Sequence, residues 1–197
     1  MGGFLTPSEL EEMGFQAVGV NVRVDRSVLV FNPHWITLGD HCRIDALALI
    51  SAGPEGIRIG RHVHLGAGCQ IFGGGGLVRM EDFSGLSGRA SIYTSTDDFI
   101  GGWMTNPTLP DRFRNVRNAA VILRKHAGVG CGSVILPGVE MGFGSLAGAL
   151  TLVRKSVREG VVLLGNPARE IAQRGLSRLK HLERELLASE GGETLPS

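Results

Sequence analysis

Asp97 and Asp98 stand side by side at the head of a stretch rich in Gly, Pro, Arg and aromatic residues. Two carboxylates that share a site cannot both ionise freely, so one of them is raised toward the range of a usable proton acceptor. Equally, such a pair can orient and polarise a histidine, and the chain has six histidines. The plain alternative is that both aspartates cap the loop they open. Further along, Arg112, Arg114 and Arg117 alternate by position and suit a diphosphate, or simply a solvated loop face. Trp103 and Phe113 offer flat apolar faces that could stack on a ligand ring or anchor the loop.

The element that must position these groups is a six-residue repeat. An aliphatic residue recurs at Leu38, Ile44 and Ile50, at Ile59, Leu65 and Ile71, and at Met80, Leu86 and Ile92. The rhythm resumes with Leu123, Val129, Ile135, Met141, Ala147 and Val153. Three sixes make one turn of a triangular coil, so the period predicts an all-β parallel β-helix with one continuous core. Leu38, Ile59 and Met80 lie twenty-one residues apart, which predicts bulged corners within 52–58 and 73–79. A short N-terminal helix over 8–13 is predicted from the capping-box spacing of Ser8 and Glu11. Residues 1–17 then form a cap, 18–167 the β-helix with an inserted loop at 94–119, and 168–197 a C-terminal helix and tail. The helix is predicted over 168–188, with a frayed tail from Ser189. An insertion this long, holding Phe99, Trp103 and Phe113, points to function rather than disorder.

The repeat sorts the histidines. His64 falls at the sixth position of its hexapeptide, outside the core register and one coil below the Asp97 region. A coil rise of about 4.8 Å keeps neighbouring coils within side-chain reach. His62 shares its repeat position with His41, which predicts a stacked corner ladder. His126, after Arg124 and Lys125, fits a ligand-slot border or a solvated turn. His34 reads as a turn residue and His181 as the polar face of a helix. Cys42, Cys69 and Cys131 are too few and too widely spaced for a disulfide framework, and read as small core residues. A net charge of +1 gives no electrostatic footprint for nucleic acid or a membrane surface. No eighteen-residue apolar run and no signal pattern is present, which predicts a cytoplasmic protein.

Three segments go beyond a generic repeat: Val-Gly-Cys-Gly-Ser-Val-Ile-Leu-Pro-Gly-Val at 129–139, Gly165-Asn166-Pro167-Ala168-Arg169, and Met104-Thr105-Asn106-Pro107-Thr108 after the aspartate pair. In these the chain resembles the hexapeptide-repeat acyltransferases over roughly residues 15–172, most strongly the galactoside, maltose and nucleotide-sugar acetyltransferases. The resemblance implies a left-handed coil, a homotrimer with active sites between subunits, and acetyl-CoA as co-substrate without a metal. It also implies a sugar or nucleotide-sugar acceptor, acylated on a hydroxyl or an amino group. Such transfer needs a base, backbone N–H donors for the oxyanion and a slot for pantetheine, but no enzyme nucleophile. Where galactoside acetyltransferases carry a catalytic histidine, this chain has Asp97 or Asp98. The catalytic set is therefore His64, Asp97 and Asp98. Gly130, Gly148, Ala149, Arg154, Lys155 and Arg169 are the candidates for the CoA slot, and Trp103, Asn106, Arg112 and Arg114 those for the acceptor. Two other classes remain open. A gamma-type carbonic anhydrase-like lyase would need His62, His64 and His126 to converge on one zinc ion across a subunit boundary, with an open fourth position. A scaffold subunit would bind no CoA.

Overall fold

The computed structural model describes residues 3–192. The repeat closes into a β-helix of about seven turns with three parallel sheets. The first face runs from Ala17–Val18 through Ile57–Ile59 to Glu140–Met141, the second from Arg23–Val24 through His64–Leu65 to Val161–Leu164, and the third from Leu29–Phe31 through Gln70–Gly73 to Leu152–Val153. Register is strict: Ile44 pairs with Leu65, and Leu65 with Leu86, so equivalent residues stack. The aliphatics that mark the repeat are the core, and Ile44, Ile50, Leu65, Ile71, Ile92 and Leu123 are fully buried. Each contributes roughly 1.5–3 kcal/mol of burial free energy. Cys42 and Cys69 are buried among them, which pushes their thiols up to about 11 and about 12. Cys131 differs, being half-buried at a corner.

The corner between the first and second faces demands a left-handed residue on every turn. Asn21, His41, His62, Phe83 and His126 supply it with φ between 53° and 62°. Asn and His are among the non-glycine residues that tolerate this region best. The rings stack from coil to coil, with centroids 4.7 Å apart for His41 and His62, 5.1 Å for His62 and Phe83, and 4.8 Å for Phe83 and His126. The predicted ladder is present and is longer than His41 and His62 alone.

Both ends depart from expectation. Helix α1 spans Pro7–Glu12, and its capping box is Thr6 with Glu9 rather than Ser8 with Glu11. Pro7 decides this, because its fixed φ suits the first helical position and moves the cap back two residues, from Ser8 to Thr6. Leu10 is buried against the first coil. At the other end, Arg169–Gln173 is not helical but pairs antiparallel with Val161–Leu164, covering an edge that would otherwise be open. Helix α2 begins only at Ser177 and continues to Gly192, past the predicted fraying point; the rest of the predicted tail lies outside the described residues. It packs along the aromatic corner. Lys180 sits over Phe143, Glu183 reaches Lys125 and His126 at 2.9 Å each, and Glu190 lies 2.6 Å from His62 and 2.7 Å from Arg61.

Candidate active site

The insertion leaves the third face after Tyr93 and has a two-stranded stem, in which Ser95–Asp97 pairs antiparallel with Val116–Asn118. The two aspartates at its base do different things. Asp97 Oδ1 accepts from Arg114 Nη2 at 3.0 Å, and both side chains are largely buried. Asp98 clasps the loop. Its carboxylate accepts from the Gly101 and Ile100 backbone N–H groups at 2.8 and 3.0 Å and from Asn115 at 2.9 Å. The Gly101 and Ile100 N–H groups, then Asn115, hold its pKa below the ordinary value. The expected like-charge activation is therefore not what the geometry provides, because the two carboxylates turn to separate partners, Asp97 to Arg114 and Asp98 to its own loop.

The apex of the insertion is exposed, with Ile100 almost bare at 96% and Trp103 about half so. Asn106 turns its carbonyl oxygen onto Thr108 and closes its own turn. Arg112 lies over the Phe113 ring at 4.7 Å. Of the acceptor candidates, Trp103, Asn106 and Arg112 share the exposed loop surface, whereas Arg114 is committed to Asp97.

His64 faces outward on the second face, at the foot of a groove of ≈ 530 Å³. Its Nε2 lies 2.7 Å from Asp45 Oδ2, while Asp45 Oδ1 accepts from Arg43 Nε at 2.6 Å. Burial pushes the Asp45 carboxyl up, but the hydrogen bonds from His64 and Arg43 outweigh it and hold the group below its ordinary value. An imidazole that donates from Nε2 to a carboxylate keeps its Nδ1 lone pair free to take a proton. The expected partnership of His64 with Asp97 and Asp98 does not form within one chain. The register opens the second face with His64, whereas the insertion departs from the third. Asp45 takes that role, and the repeat already held the clue, since Asp45 follows Ile44 one coil below Leu65.

At the far edge of the groove stacking requires Gly130, where a Cβ would meet Ala149 N at 2.5 Å; at Gly148 a Cβ would press on the side-chain end of Leu164, with Cδ1 at 2.7 Å, and meet Leu163 O at 3.3 Å. Ala149 is exposed beside them. Arg154 and Lys155 are exposed and line two adjoining clefts, one with Val161, Pro167 and Ala168 and the other with Thr96, Arg117 and Leu136. Arg169 is exposed on the returning strand. Together these put positive charge at the C-terminal end of the coils, where a phosphorylated ligand would be held.

The three histidines of the lyase alternative each have other partners within the chain. His62 is stacked in the corner, His126 is held by Glu183, and His64 by Asp45. His41, His62 and Glu190 do lie close together. However, the two imidazoles are parallel to within 5°, and stacked rings cannot both aim an in-plane lone pair at one ion.

A β-helix of hexapeptide repeats, a cationic end and a long inserted loop beside an outward histidine define a class of acyl-transferring enzymes, and the chain belongs to it: the hexapeptide-repeat acyltransferases, with their left-handed parallel β-helix. Among its relatives, the dTDP-4-amino-4,6-dideoxy-D-glucose acyltransferase of Escherichia coli is 34% identical over 192 residues, covering 98% of this chain and 99% of that one. AntD, an N-acyltransferase from Bacillus cereus solved in complex with dTDP and 3-hydroxybutyryl-CoA, superposes with a TM-score of 0.90 at 33% identity, over 98% of this chain and 100% of that one. A variant of AntD bound to dTDP-4-amino-4,6-dideoxyglucose and Coenzyme A gives 0.90 at 34% identity, over 96% and 99%. No family model matches the chain.

Proposed function

We propose that the protein transfers an acyl group from acyl-CoA to the amino group of a dTDP-linked 4-amino-4,6-dideoxyhexose. The observation that carries this reading is correspondence over 98% of this chain and 99% of an enzyme named for that acceptor. In the proposed reaction the sugar amine attacks the thioester carbonyl, the new C–N bond forms, the C–S bond breaks and CoA leaves as the thiol. His64 takes the proton lost from nitrogen and returns it to the departing CoA sulfur, while Asp45 holds its ring and stabilises the transient imidazolium. Asp97, fixed by Arg114, orients the amine. The loop surface of Trp103, Asn106 and Arg112 meets the nucleotide sugar, while Gly130, Gly148 and Ala149 border the pantetheine arm. Arg154, Lys155 and Arg169 face the CoA phosphates.

The reading includes a homotrimer. The third face carries outward apolar residues Leu29, Phe31, Leu49, Phe72 and Tyr93, interspersed with Ser51 and Gln70, and Phe72 and Tyr93 are stacked at 4.8 Å. Such a surface is suited to burial against a second copy. A neighbouring chain would also bring an Asp97 loop toward a His64 groove. Among the described residues no helix is long and apolar enough to cross a membrane, and a cytoplasmic location fits a nucleotide-linked acceptor.

The test is incubation with acetyl-CoA and dTDP-4-amino-4,6-dideoxyglucose. Stoichiometric CoA release with acetylation at nitrogen is expected. Release only with a galactoside hydroxyl, or no release with any acceptor, would overturn the reading. Sedimentation should give three times the chain mass.

A further inference from the structure

The floor of the His64 groove contains two glycines that the fold does not require. Outward positions on the second face stack in register as Arg43, His64, Gly85, Gly128, Leu146 and Val162. Side chains stand below and above, and none stands on the two middle coils. Neither Gly85 nor Gly128 has positive φ, unlike Gly132, Gly144 and Gly160. Nor does either touch the next coil's backbone as closely as Gly130 does. A Cβ on Gly85 would meet only the His64 backbone, at 3.1 Å for its oxygen, and one on Gly128 only the movable end of Leu146, at 2.8 Å. An L-residue fits at Gly128 once the end of Leu146 turns aside, and at Gly85 once the His64 carbonyl gives slightly, and β-propensity would favour one at both. The two glycines thus clear a depression two coils long, about 10 Å along the axis at one strand spacing per coil. Phe83 and His126 flank it, Leu146 and Val162 continue it, and His64 closes one end.

We propose that this trough seats the acyl chain of the donor and selects chains of three to four carbons over acetyl. The inference rests on the acyl-transfer reading above and deepens it. With the thioester carbonyl at the His64 end, an acetyl methyl would leave the trough almost empty. A propionyl or butyryl chain would lie over Gly85 and Gly128 against Leu146 and the ring edges of Phe83 and His126. Each further methylene placed there adds apolar contact, and one methylene in such a pocket is worth about 10- to 200-fold in selectivity.

The experiment measures kcat/KM for butyryl-CoA and acetyl-CoA with one acceptor, in the wild type and in Gly128→Val and Leu146→Ala. The ratio of butyryl to acetyl is read within each variant, so loss of folded protein cancels. The expected wild-type ratio is above one. Gly128→Val should lower it by about 10-fold or more, and Leu146→Ala should raise it or extend acceptance to hexanoyl-CoA. A wild-type ratio far below one, or equal loss with both donors in Gly128→Val, would overturn the inference while leaving acyl transfer in place. So would a change in oligomeric state with the ratio unmoved, because the trough would then be seating a neighbouring subunit. Failure of the wild type with every donor would instead overturn the transfer reading, and this inference with it.

Discussion

The second face and the aromatic corner carry the same chemical motif in two settings. On the open face, His64 contacts Asp45, which also holds Arg43; at the corner, His126 contacts Glu183, which also holds Lys125. Each is a histidine, a carboxylate and a cation joined by hydrogen bonds shorter than 3 Å. In both, burial pushes the carboxyl up, and the paired hydrogen bonds then bring it below its ordinary value. What differs is access. The His64 side chain is 54% exposed and that of His126 only 11%. His126 is also stacked on Phe83 and covered by helix α2. One triplet leaves its imidazole open to the groove, as the base of the proposed reaction requires, and the other fastens a helix to a coil. Residue type and even hydrogen-bond pattern therefore do not separate an accessible imidazole from a clamp; the position in the repeat does, since outward strand positions open to a groove and corner positions stack.

The strongest way to break this comparison is His64→Ala. It should lower kcat/KM by about 10²-fold or more, the range for loss of a positioned general base, and leave thermal stability almost unchanged. Asp45→Asn should follow with a smaller loss, and with a change in the pH–rate profile that a structural role would not produce. Wild-type turnover in His64→Ala would reduce the two triplets to one kind. Glu183→Gln is the counterpart. It removes the charge that holds Lys125 and His126, so about 1–3 kcal/mol of stability should go, with faster amide exchange in helix α2. If Glu183→Gln instead loses turnover and keeps its melting temperature, the corner triplet is part of the chemistry.

Much of this was legible before any coordinates. The core was, because a strict period places each aliphatic in register, and Leu38, Ile44 and Ile50 are all buried where that period puts them. The His41–His62 ladder followed from the same arithmetic. The ends were not: α1 turned on the local geometry of Pro7, and 169–173 became a strand because an open edge was available, a tertiary fact that overrides an apolar pattern. Within the site, His64 stood out as an outward residue, but its contact Asp45 was hidden because the insertion drew attention to Asp97 and Asp98. A carboxylate's partners depend on which face its coil presents. Arg114 and Asn115, which occupy those two aspartates, lie just before the far strand of a hairpin, Val116–Asn118, whose pairing no hexapeptide rhythm announces.

His41→Asn sharpens the corner side more gently. Asn tolerates the left-handed backbone, so only the ring stacked on His62 is lost, at about 0.5–1.5 kcal/mol, and turnover should be unchanged.

The smallest effect, and the one that tests both triplets together, is acid sensitivity. Asp45 and Glu183 both have folded pKa values below their ordinary ones of 3.8 and 4.5. A carboxylate so depressed contributes stability that is fully present above its unfolded pKa and is lost as pH falls through the folded one. The unfolded chain binds protons first, so stability should decline below about pH 4.5, with Glu183 contributing ahead of Asp45. Glu183→Gln should flatten the upper part of that decline and Asp45→Asn the lower part, as read from melting temperatures between pH 3 and pH 6. If Asp45→Asn leaves the acid limb as steep as in the wild type, the His64 contact is not maintained in solution. The open triplet would then differ from the closed one in strength as well as in access.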